Sequence, residues 1–189
     1  MKSDQPRRPA VLAFAGPNGS GKSTVMRGLP IFGTYVNADD LKVAYALSDL
    51  EAAQQAEALR NQLLHRQADF SFETVLSTNR NLLLLKKAKE SGYEVQCVYV
   101  LTCDENINVA RVRARVAAGG HAVPEDKIRS RYHRALALLP EVIAVCDSVL
   151  VYDNSIQPTL IFKKETGFSQ CFPHALWPDG RLKALVGLA

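Results

Sequence analysis

A glycine-rich stretch near the N-terminus, GPNGSGKST at residues 16–24, constrains the fold more than any other part of this chain. It matches the phosphate-binding loop pattern G-x-x-x-x-G-K-[ST] at every fixed position. An apolar run typical of a buried parallel strand precedes it, and a helix is predicted from Lys22 to Gly28. Such a strand, loop and helix form a cradle in which backbone N–H groups surround a phosphate. The alternative is a plain surface turn, and the flanking strand and helix argue against it.

The loop predicts a bound nucleotide with a magnesium ion, while leaving the fate of the γ-phosphate open. Lys22 is expected to reach the β- and γ-phosphates, and the Ser23 hydroxyl is expected to ligate Mg²⁺. The predicted nucleotide-binding residues of the loop are Gly16, Pro17, Asn18, Gly19, Ser20, Gly21, Lys22, Ser23 and Thr24.

Apolar, β-branched runs alternate with helical patterns along the rest of the chain, which predicts a three-layer α/β fold. With 189 residues, 47% of them hydrophobic and 22% charged, the chain is long enough for a single domain over residues 1–189 and short for two. We expect a five-stranded, mostly parallel sheet, followed by a small C-terminal hairpin and helix within residues 156–189. The predicted strands cover residues 9–15, 34–37, 70–73, 94–101 and 147–152, and the hairpin pairs residues 159–164 with 168–172.

Composition narrows the class of protein further. Residues 1–8 are polar and basic and are predicted to be a disordered leader. No apolar run approaches the length of a membrane span, so we expect a cytoplasmic protein with no membrane partner. The four cysteines form no C-x-x-C pair, which favours buried thiols. The net charge of +4 is modest and could suggest nucleic acid, but the chain outside the basic segment described below is not notably basic, which argues against such a partner.

Acidic residues lie at the ends of two predicted strands, on the edge where open parallel sheets bind ligands. Asp39 and Asp40 follow the second strand, and Glu73 ends the third. Carboxylates beside a bound triphosphate serve phosphoryl transfer, one by accepting a proton and another by holding Mg²⁺ or fixing the acceptor. Helix capping is the alternative for one of the two aspartates, and a structural salt bridge is the alternative for Glu73.

A basic segment around Gly119 and Gly120 is predicted to form a helical lid over residues 105–139. Helical spacing puts Arg111 and Arg115 on one face, where their guanidinium groups would stabilise phosphate charge and exclude water. A solvated helical face and a nucleic-acid patch are the alternatives, and the segment lacks interleaved aromatic residues apart from Tyr132. The basic residues of the segment are Arg111, Arg113 and Arg115 on the first helix and Lys127, Arg129, Arg131 and Arg134 on the second.

Two loop residues complete the set of candidates. His121 follows the paired glycines and is predicted to contact phosphate or substrate, with loop stabilisation as the alternative. Asn154 follows the fifth strand and is predicted to contact the nucleotide base, with an Asx turn as the alternative.

Taken in order, these motifs resemble the zeta-toxin family of P-loop kinases, in particular its short, stand-alone bacterial members. The resemblance covers about residues 9–155 and rests on the loop at 16–24, VNADD at 36–40, FET at 72–74, the arginines at 111–115, GGHAVP at 119–124 and RSRY at 129–132. It implies a P-loop kinase-type fold, with ATP and Mg²⁺ as cofactors. Family members studied as toxins phosphorylate a UDP-activated amino sugar at a hydroxyl group.

Matching positions imply roles for individual residues. Asp39 resembles the catalytic base, Lys22 and Ser23 the phosphate and magnesium residues, and Arg115 a lid arginine. Glu73 resembles a carboxylate that orients the acceptor. The second lid arginine of the toxins has no clear match here. The candidates for that place are His121, Arg129 and Arg131.

The sequence therefore predicts an ATP-dependent phosphotransferase that acts on a hydroxyl of a small molecule. The predicted acceptor site comprises Asp39, Asp40, Glu73, Thr74 and His121. A nucleotide-hydrolysing ATPase is one alternative, although the chain carries no L-S-G-G-Q segment. A toxin or regulatory module that acts through a protein partner, such as an antitoxin, is another.

Overall fold

The computed structural model describes residues 7–188, so residues 1–6 of the predicted leader lie outside the described part. The strands are β1 Ala10–Ala15, β2 Thr34–Val36, β3 Phe70–Thr74, β4 Glu94–Leu101, β5 Ser148–Asp153, β6 Thr159–Glu165 and β7 Phe168–Cys171. The helices are α1 Lys22–Met26, α2 Ala38–Tyr45, α3 Asp49–His65, α4 Asn79–Glu90, α5 Glu105–Ala117, α6 Glu125–Val145 and α7 Asp179–Val186. The strands form one sheet in the order β2-β3-β1-β4-β5-β6-β7.

The first five strands pair in parallel, with β1 between β3 and β4 at the centre. All six residues of β1 are buried, as expected for a strand covered on both faces. Val11 and Ala13 belong to the main hydrophobic core, whereas Leu12 and Phe14 belong to a second core on the opposite face. This alternation produces the three layers, and the predicted α/β class with a mostly parallel sheet is confirmed.

The prediction of a five-stranded sheet is wrong, because the C-terminal hairpin extends the sheet to seven strands. β6 pairs antiparallel with β5, and β7 pairs antiparallel with β6. Without β6, the outer edge of β5 would expose unpaired backbone groups. The pairing also buries Ile161 and Phe162 completely in the main core, so it is stabilised by both hydrogen bonds and apolar contact.

Two helices, α5 and α6, occupy the segment that was predicted to form the lid. α6 continues to Val145, beyond the expected end at residue 139. Leu139, Val142 and Ile143 of this helix belong to the main core, so its second half is part of the body of the domain. None of the helices within residues 7–188 is both long and apolar enough to cross a membrane.

Arg7 and Arg8 of the predicted leader contact the body of the domain. Arg8 donates hydrogen bonds to the carbonyl oxygens of Gly92 at 2.9 Å and Tyr93 at 2.8 Å, and Arg7 forms an ion pair with Asp69. Arg8 thus contacts the turn that precedes β4, and Arg7 contacts the residue that precedes β3.

Candidate active site

The glycine-rich loop follows β1 and lies tightly against neighbouring backbone. The Gly16 N–H donates to the carbonyl oxygen of Thr74 at 3.2 Å, which connects the loop to the end of β3. Gly16 has φ 141°, and a Cβ there would lie 1.9 Å from the Val100 carbonyl oxygen. A Cβ at Gly19, where φ is 77°, would lie 2.5 Å from the Asn108 carbonyl oxygen. Only glycine satisfies both the backbone conformation and the lack of space.

The loop presents free backbone donors to a ligand. Among the described residues, the N–H groups of Gly19, Gly21, Lys22 and Ser23 have no protein acceptor. Grouped N–H donors of this kind fit a phosphate. The Ser23 side chain is exposed, and its hydroxyl makes no hydrogen bond within residues 7–188, which leaves it available to a cation. The loop therefore fits a nucleotide phosphate with a magnesium ion.

The Lys22 side chain is buried against the glycine-rich loop to which this residue belongs. Its Nζ donates to the carbonyl oxygens of Gly16 at 2.9 Å and Pro17 at 3.3 Å, and lies 3.6 Å from a carboxylate oxygen of Glu73. Burial lowers the pKa of Lys22 below its ordinary value of 10.5, and the nearby Arg115 lowers it further, whereas Glu73 opposes the shift. Added negative charge near Nζ, such as a phosphate, would stabilise the protonated form.

Glu73 joins the lysine to a polar network at the ends of β2 and β3. Its second carboxylate oxygen accepts from the Tyr35 hydroxyl and from the Asn37 amide, both at 3.4 Å. Burial and then the Glu73 charge raise the pKa of Tyr35 to about 12, so the hydroxyl keeps its proton and remains a donor at neutral pH. Glu73 therefore forms a salt bridge with Lys22, which is the structural alternative that the sequence offered. It also lines the cleft described below.

Asp39 lies in the first turn of α2, and a different residue caps that helix. The Asn37 side chain accepts from the Asp39 backbone N–H at 2.9 Å. The Asp39 carboxylate is exposed and makes no side-chain hydrogen bond to a described residue. Capping therefore does not account for Asp39, and its carboxylate is available for chemistry.

A cleft of about 420 Å³ joins these groups to the loop between α5 and α6. The structure brings together in its lining the predicted site residues Asn18, Gly19, Lys22, Asp39, Glu73, Thr74, Arg115, His121 and Arg131. The lining does not include the predicted residues Gly16, Pro17, Ser20, Gly21, Ser23, Thr24, Asp40, Arg111, Arg129 and Asn154. Donor-side and acceptor-side candidates, distant in sequence, therefore share one cavity.

Two arginines reach the cleft from α5 and α6. Arg131 donates to the Asn18 side-chain oxygen at 3.3 Å, so it lies directly beside the glycine-rich loop. Arg115 donates to the carbonyl oxygen of His121 at 2.9 Å. A Cβ at Gly120 would lie 2.6 Å from Arg115 Cγ, so the lack of a side chain at Gly120 lets Arg115 pack against the loop between α5 and α6.

Arg111 and Asn154 hold the far side of the glycine-rich loop. The Asn154 amide donates to the Ser20 carbonyl oxygen at 2.8 Å. Arg111 donates to the Ser155 carbonyl oxygen at 3.1 Å, and a Cβ at Gly21 would lie 3.8 Å from its NH1 atom. Both side chains are therefore placed to position the loop, whereas contact with a nucleotide base stays a prediction for Asn154.

Arg129 is tied to acidic residues outside the cleft. It bonds Glu125 at 2.8 Å, four residues earlier on α6, and Glu105 at 2.9 Å at the start of α5. The hydrogen bonds that Arg129 donates to Glu125 and then to Glu105 raise the pKa of Arg129 above its ordinary value. Because these contacts fasten α5 to α6, Arg129 acts as a helix-to-helix clamp, and Arg131 is the candidate that faces the cleft.

Sequence reasoning missed Lys42 and Asp49 on the acceptor side, and it placed Lys127 only in the basic segment. Lys42 contacts the Asp49 carboxylate at 2.6 Å, and His121 Nε2 lies 3.6 Å from the same group. Lys42, Asp49 and Lys127 line the cleft. Two signals could have found them: Lys42 follows Asp39 by three residues on one helix, and the Ser48 capping box places Asp49 in the first turn of α3.

Comparisons with known proteins agree with this architecture. The family model described as Zeta toxin matches residues 30–166. An uncharacterized protein of Haemophilus influenzae is 33% identical over 126 residues, which cover 63% of this chain and 89% of that protein.

Solved structures share the fold at low sequence identity. A structure from the PezAT chromosomal toxin–antitoxin system of Streptococcus pneumoniae has a TM-score of 0.59 at 16% identity, with 98% of this chain and 81% of that chain covered. The AvrRxo1-ORF1:-ORF2 structure with ATP has a TM-score of 0.70 at 15% identity, with 88% of this chain and 61% of that chain covered. Because the family model matches most of the chain and the fold agrees, this protein belongs to the zeta toxin family of P-loop kinases.

Proposed function

We propose that the protein transfers the γ-phosphate of ATP to a hydroxyl group of a small molecule. One observation carries the proposal. A single cleft combines the glycine-rich loop with Asp39, Glu73 and the cationic groups of Arg115 and Arg131. Phosphoryl transfer needs a phosphate cradle, a group that accepts the hydroxyl proton and positive charge around the transferred group. The ATP-containing AvrRxo1 complex, which has the same fold, supports ATP as the donor.

Asp39 is the proposed general base, and Glu73 the proposed positioning group. The Asp39 carboxylate has no hydrogen-bond partner among the described side chains, so it can accept a proton from an acceptor hydroxyl. The Glu73 carboxylate is already shared between Lys22, Tyr35 and Asn37. A carboxylate held in this way is suited to orient the lysine and an acceptor group rather than to carry a proton.

Cationic residues would hold the donor phosphates. Lys22 and the free N–H groups of the loop would contact the β- and γ-phosphates, and Arg115 and Arg131 would face the transferred group from the opposite wall. Mg²⁺ would be held by Ser23 and, when bound, would neutralise charge on the phosphates. The walls formed by α2 and α5–α6 would exclude water from the reacting groups.

A UDP-activated sugar is the acceptor that we propose to test first. The resemblance to toxins of this family suggested it, and the acceptor side of the cleft adds a physical reason. Lys42, Lys127 and His121 line that side, where they could pair with a diphosphate group. The small side chains of Ala52 and Ala53 leave room beside them.

We also propose that an antitoxin-like protein controls the enzyme. The PezAT structure comes from a toxin–antitoxin system, and AvrRxo1-ORF1 was solved together with ORF2. Three large apolar side chains near the cleft are exposed here, Val43 at 83%, Tyr45 at 65% and Leu50 at 67%. A protein partner would remove this apolar surface from water. Growth arrest on expression, relieved by a neighbouring gene, is the expected sign.

Phosphate transfer from labelled ATP to metabolite pools that include UDP-sugars tests the proposed activity. Asp39→Asn is expected to lower transfer by about 10²- to 10⁴-fold while ATP affinity is retained. Lys22→Ala is expected to weaken ATP binding itself. Asp126→Asn, an exposed aspartate in the first turn of α6, serves as the matched control. Release of phosphate to water with no labelled acceptor would favour the ATPase alternative. Full transfer by the Asp39→Asn variant would show that Asp39 is not the general base.

A further inference from the structure

A second cleft lies between α3 and α4, and none of its lining residues lines the cleft described above. Its volume is about 230 Å³. Arg60 and Glu57 of α3 face Arg80, Asn81 and Lys87 of α4 across it. We refer to this cavity as the α3–α4 cleft. Its charges have no part in the proposed kinase mechanism and need a separate explanation.

Arg60 occupies a position where a core residue is expected. It lies on the buried face of α3 together with Ala52, Ala56 and Leu63, and the whole residue is only 7% exposed. Its guanidinium carbon lies over the Phe72 ring, 5.2 Å from the ring centre, which is a cation–π contact. Such a contact uses none of the N–H donors of the guanidinium group.

The in-plane donors of Arg60 find no acceptor within the described chain. The guanidinium donates no hydrogen bond to any residue in 7–188. Its Nε is sealed from solvent without a partner, whereas its two Nη atoms are not among the sealed atoms and can be reached from the cleft. Leaving a buried charged donor unpaired costs more than a stack on one aromatic ring returns. Such a side chain, lining a cavity, is suited to an acceptor that comes from outside the chain.

The surrounding charges specify a negative ligand. Arg80 and Lys87 line the same cleft, and the neighbouring Glu57 carboxylate lies 3.3 Å from Arg80. Burial lowers the pKa of Arg60, Glu57 opposes this shift, and Arg80 adds to it. The cleft therefore holds three cationic groups and one carboxylate that already has a partner.

We propose that the α3–α4 cleft binds a small oxyanion, a carboxylate or phosphate group, through the Nη donors of Arg60, with Arg80 and Lys87 beside it. The planar fork of a guanidinium matches the paired oxygens of either group. The proposal does not depend on the kinase activity, because the cleft and the catalytic cleft share no lining residue.

NMR of the isotope-labelled full chain provides a local readout, the side-chain Nε–Hε resonance of Arg60. This resonance is assigned by its connection to the backbone of the same residue. The probes are succinate, malate and inorganic phosphate, each compared with sodium chloride at the same ionic strength. A saturable shift with at least one probe is expected. A response to the dicarboxylates identifies a carboxylate site, and a response to phosphate identifies a phosphate site. The resonance separates this site from phosphate bound at the glycine-rich loop.

Two variants decide whether the ligand occupies this cleft. Arg80→Met is expected to weaken binding by about tenfold or more, because it removes a charged partner. Arg66→Met, an exposed arginine just beyond the C-terminus of α3, is expected to leave binding unchanged. If no probe shifts the resonance more than sodium chloride does, the proposal is overturned, and Arg60 is held by Phe72 alone. A saturable shift that Arg80→Met does not weaken would also overturn it, because the ligand would then bind elsewhere.

Discussion

Replacement of Glu73 by glutamine isolates the electrostatic pairing that holds Lys22 under the glycine-rich loop. The two charged groups lie 3.6 Å apart, and the side chains are only 9% and 28% exposed. At that distance and an effective dielectric constant of about 20, their attraction is about 5 kcal/mol. Glutamine can still accept from Tyr35 and Asn37, and water reaches part of Glu73. We therefore expect the free energy of unfolding to fall by about 2–3 kcal/mol, at or just below the lower end of values for fully buried pairs.

The loss should depend on pH in a defined direction. The pKa of Lys22 is already lowered in the folded protein, and removal of the Glu73 charge lowers it further. Above the folded pKa and below 10.5, the unfolded chain binds more protons, so stability rises with pH. That rise begins at a lower pH in Glu73→Gln than in the natural protein. The deficit is therefore full below the Lys22 pKa of the variant and shrinks as pH rises from that pKa to the Lys22 pKa of the natural protein.

Thermal unfolding of both proteins from neutral to alkaline pH measures this difference. For a chain of this length the expected loss corresponds to a drop in Tm of about 4–12 °C near neutral pH. Glu141→Gln is the matched control, since Glu141 pairs with Lys86 at 3.2 Å on the exposed surface and such pairs contribute about 0–1 kcal/mol. A Glu73→Gln loss as small as that of the control, or one that does not change with pH, would refute the reasoning.

Two further substitutions test the backbone and the arginines. Gly16→Ala places a Cβ 1.9 Å from the Val100 carbonyl oxygen and should destabilise the fold by more than about 3 kcal/mol in urea unfolding. The control Gly92→Ala, at φ 86° with nothing within 4 Å of the added Cβ, should cost about 1–2 kcal/mol. Equal losses would contradict the steric argument. Arg131→Met should raise KM for ATP by about tenfold in steady-state kinetics. Arg129→Met should mainly lower Tm by loosening α5 from α6, and a larger effect of Arg129 than of Arg131 on KM would reverse their assignment.

Local sequence determined the donor side of the site. The glycine-rich loop could be predicted because each residue type answers a local requirement, such as positive φ at Gly16 and Gly19. The strand before it could be predicted because alternate residues of β1 enter two different cores. Asp39 and Glu73 were placed correctly beside the loop because the ends of neighbouring parallel strands meet at one edge of a sheet.

Contacts between distant elements decided what the sequence could not predict. Helical spacing makes Arg129 and Arg131 equally plausible as cleft residues, but Arg129 forms an ion pair with Glu105 on α5. The hairpin looks self-contained in sequence, and its union with the main sheet depends on the open edge of β5. In each case the partner lies on an element whose position follows from packing rather than from the local pattern.

The two sides of the catalytic cleft are held by interactions of different strength, and this difference bears on substrate choice. On the donor side, Lys22 and the loop are fixed by buried hydrogen bonds and by backbone contacts that admit only glycine. On the acceptor side, Lys42 and His121 meet an Asp49 whose side chain is 72% exposed, so solvent screens these contacts and they break at little cost. A ligand that supplies its own charges can therefore replace them. Relatives could keep the same phosphate chemistry while changing their acceptor through α2, α3 and the α5–α6 loop alone.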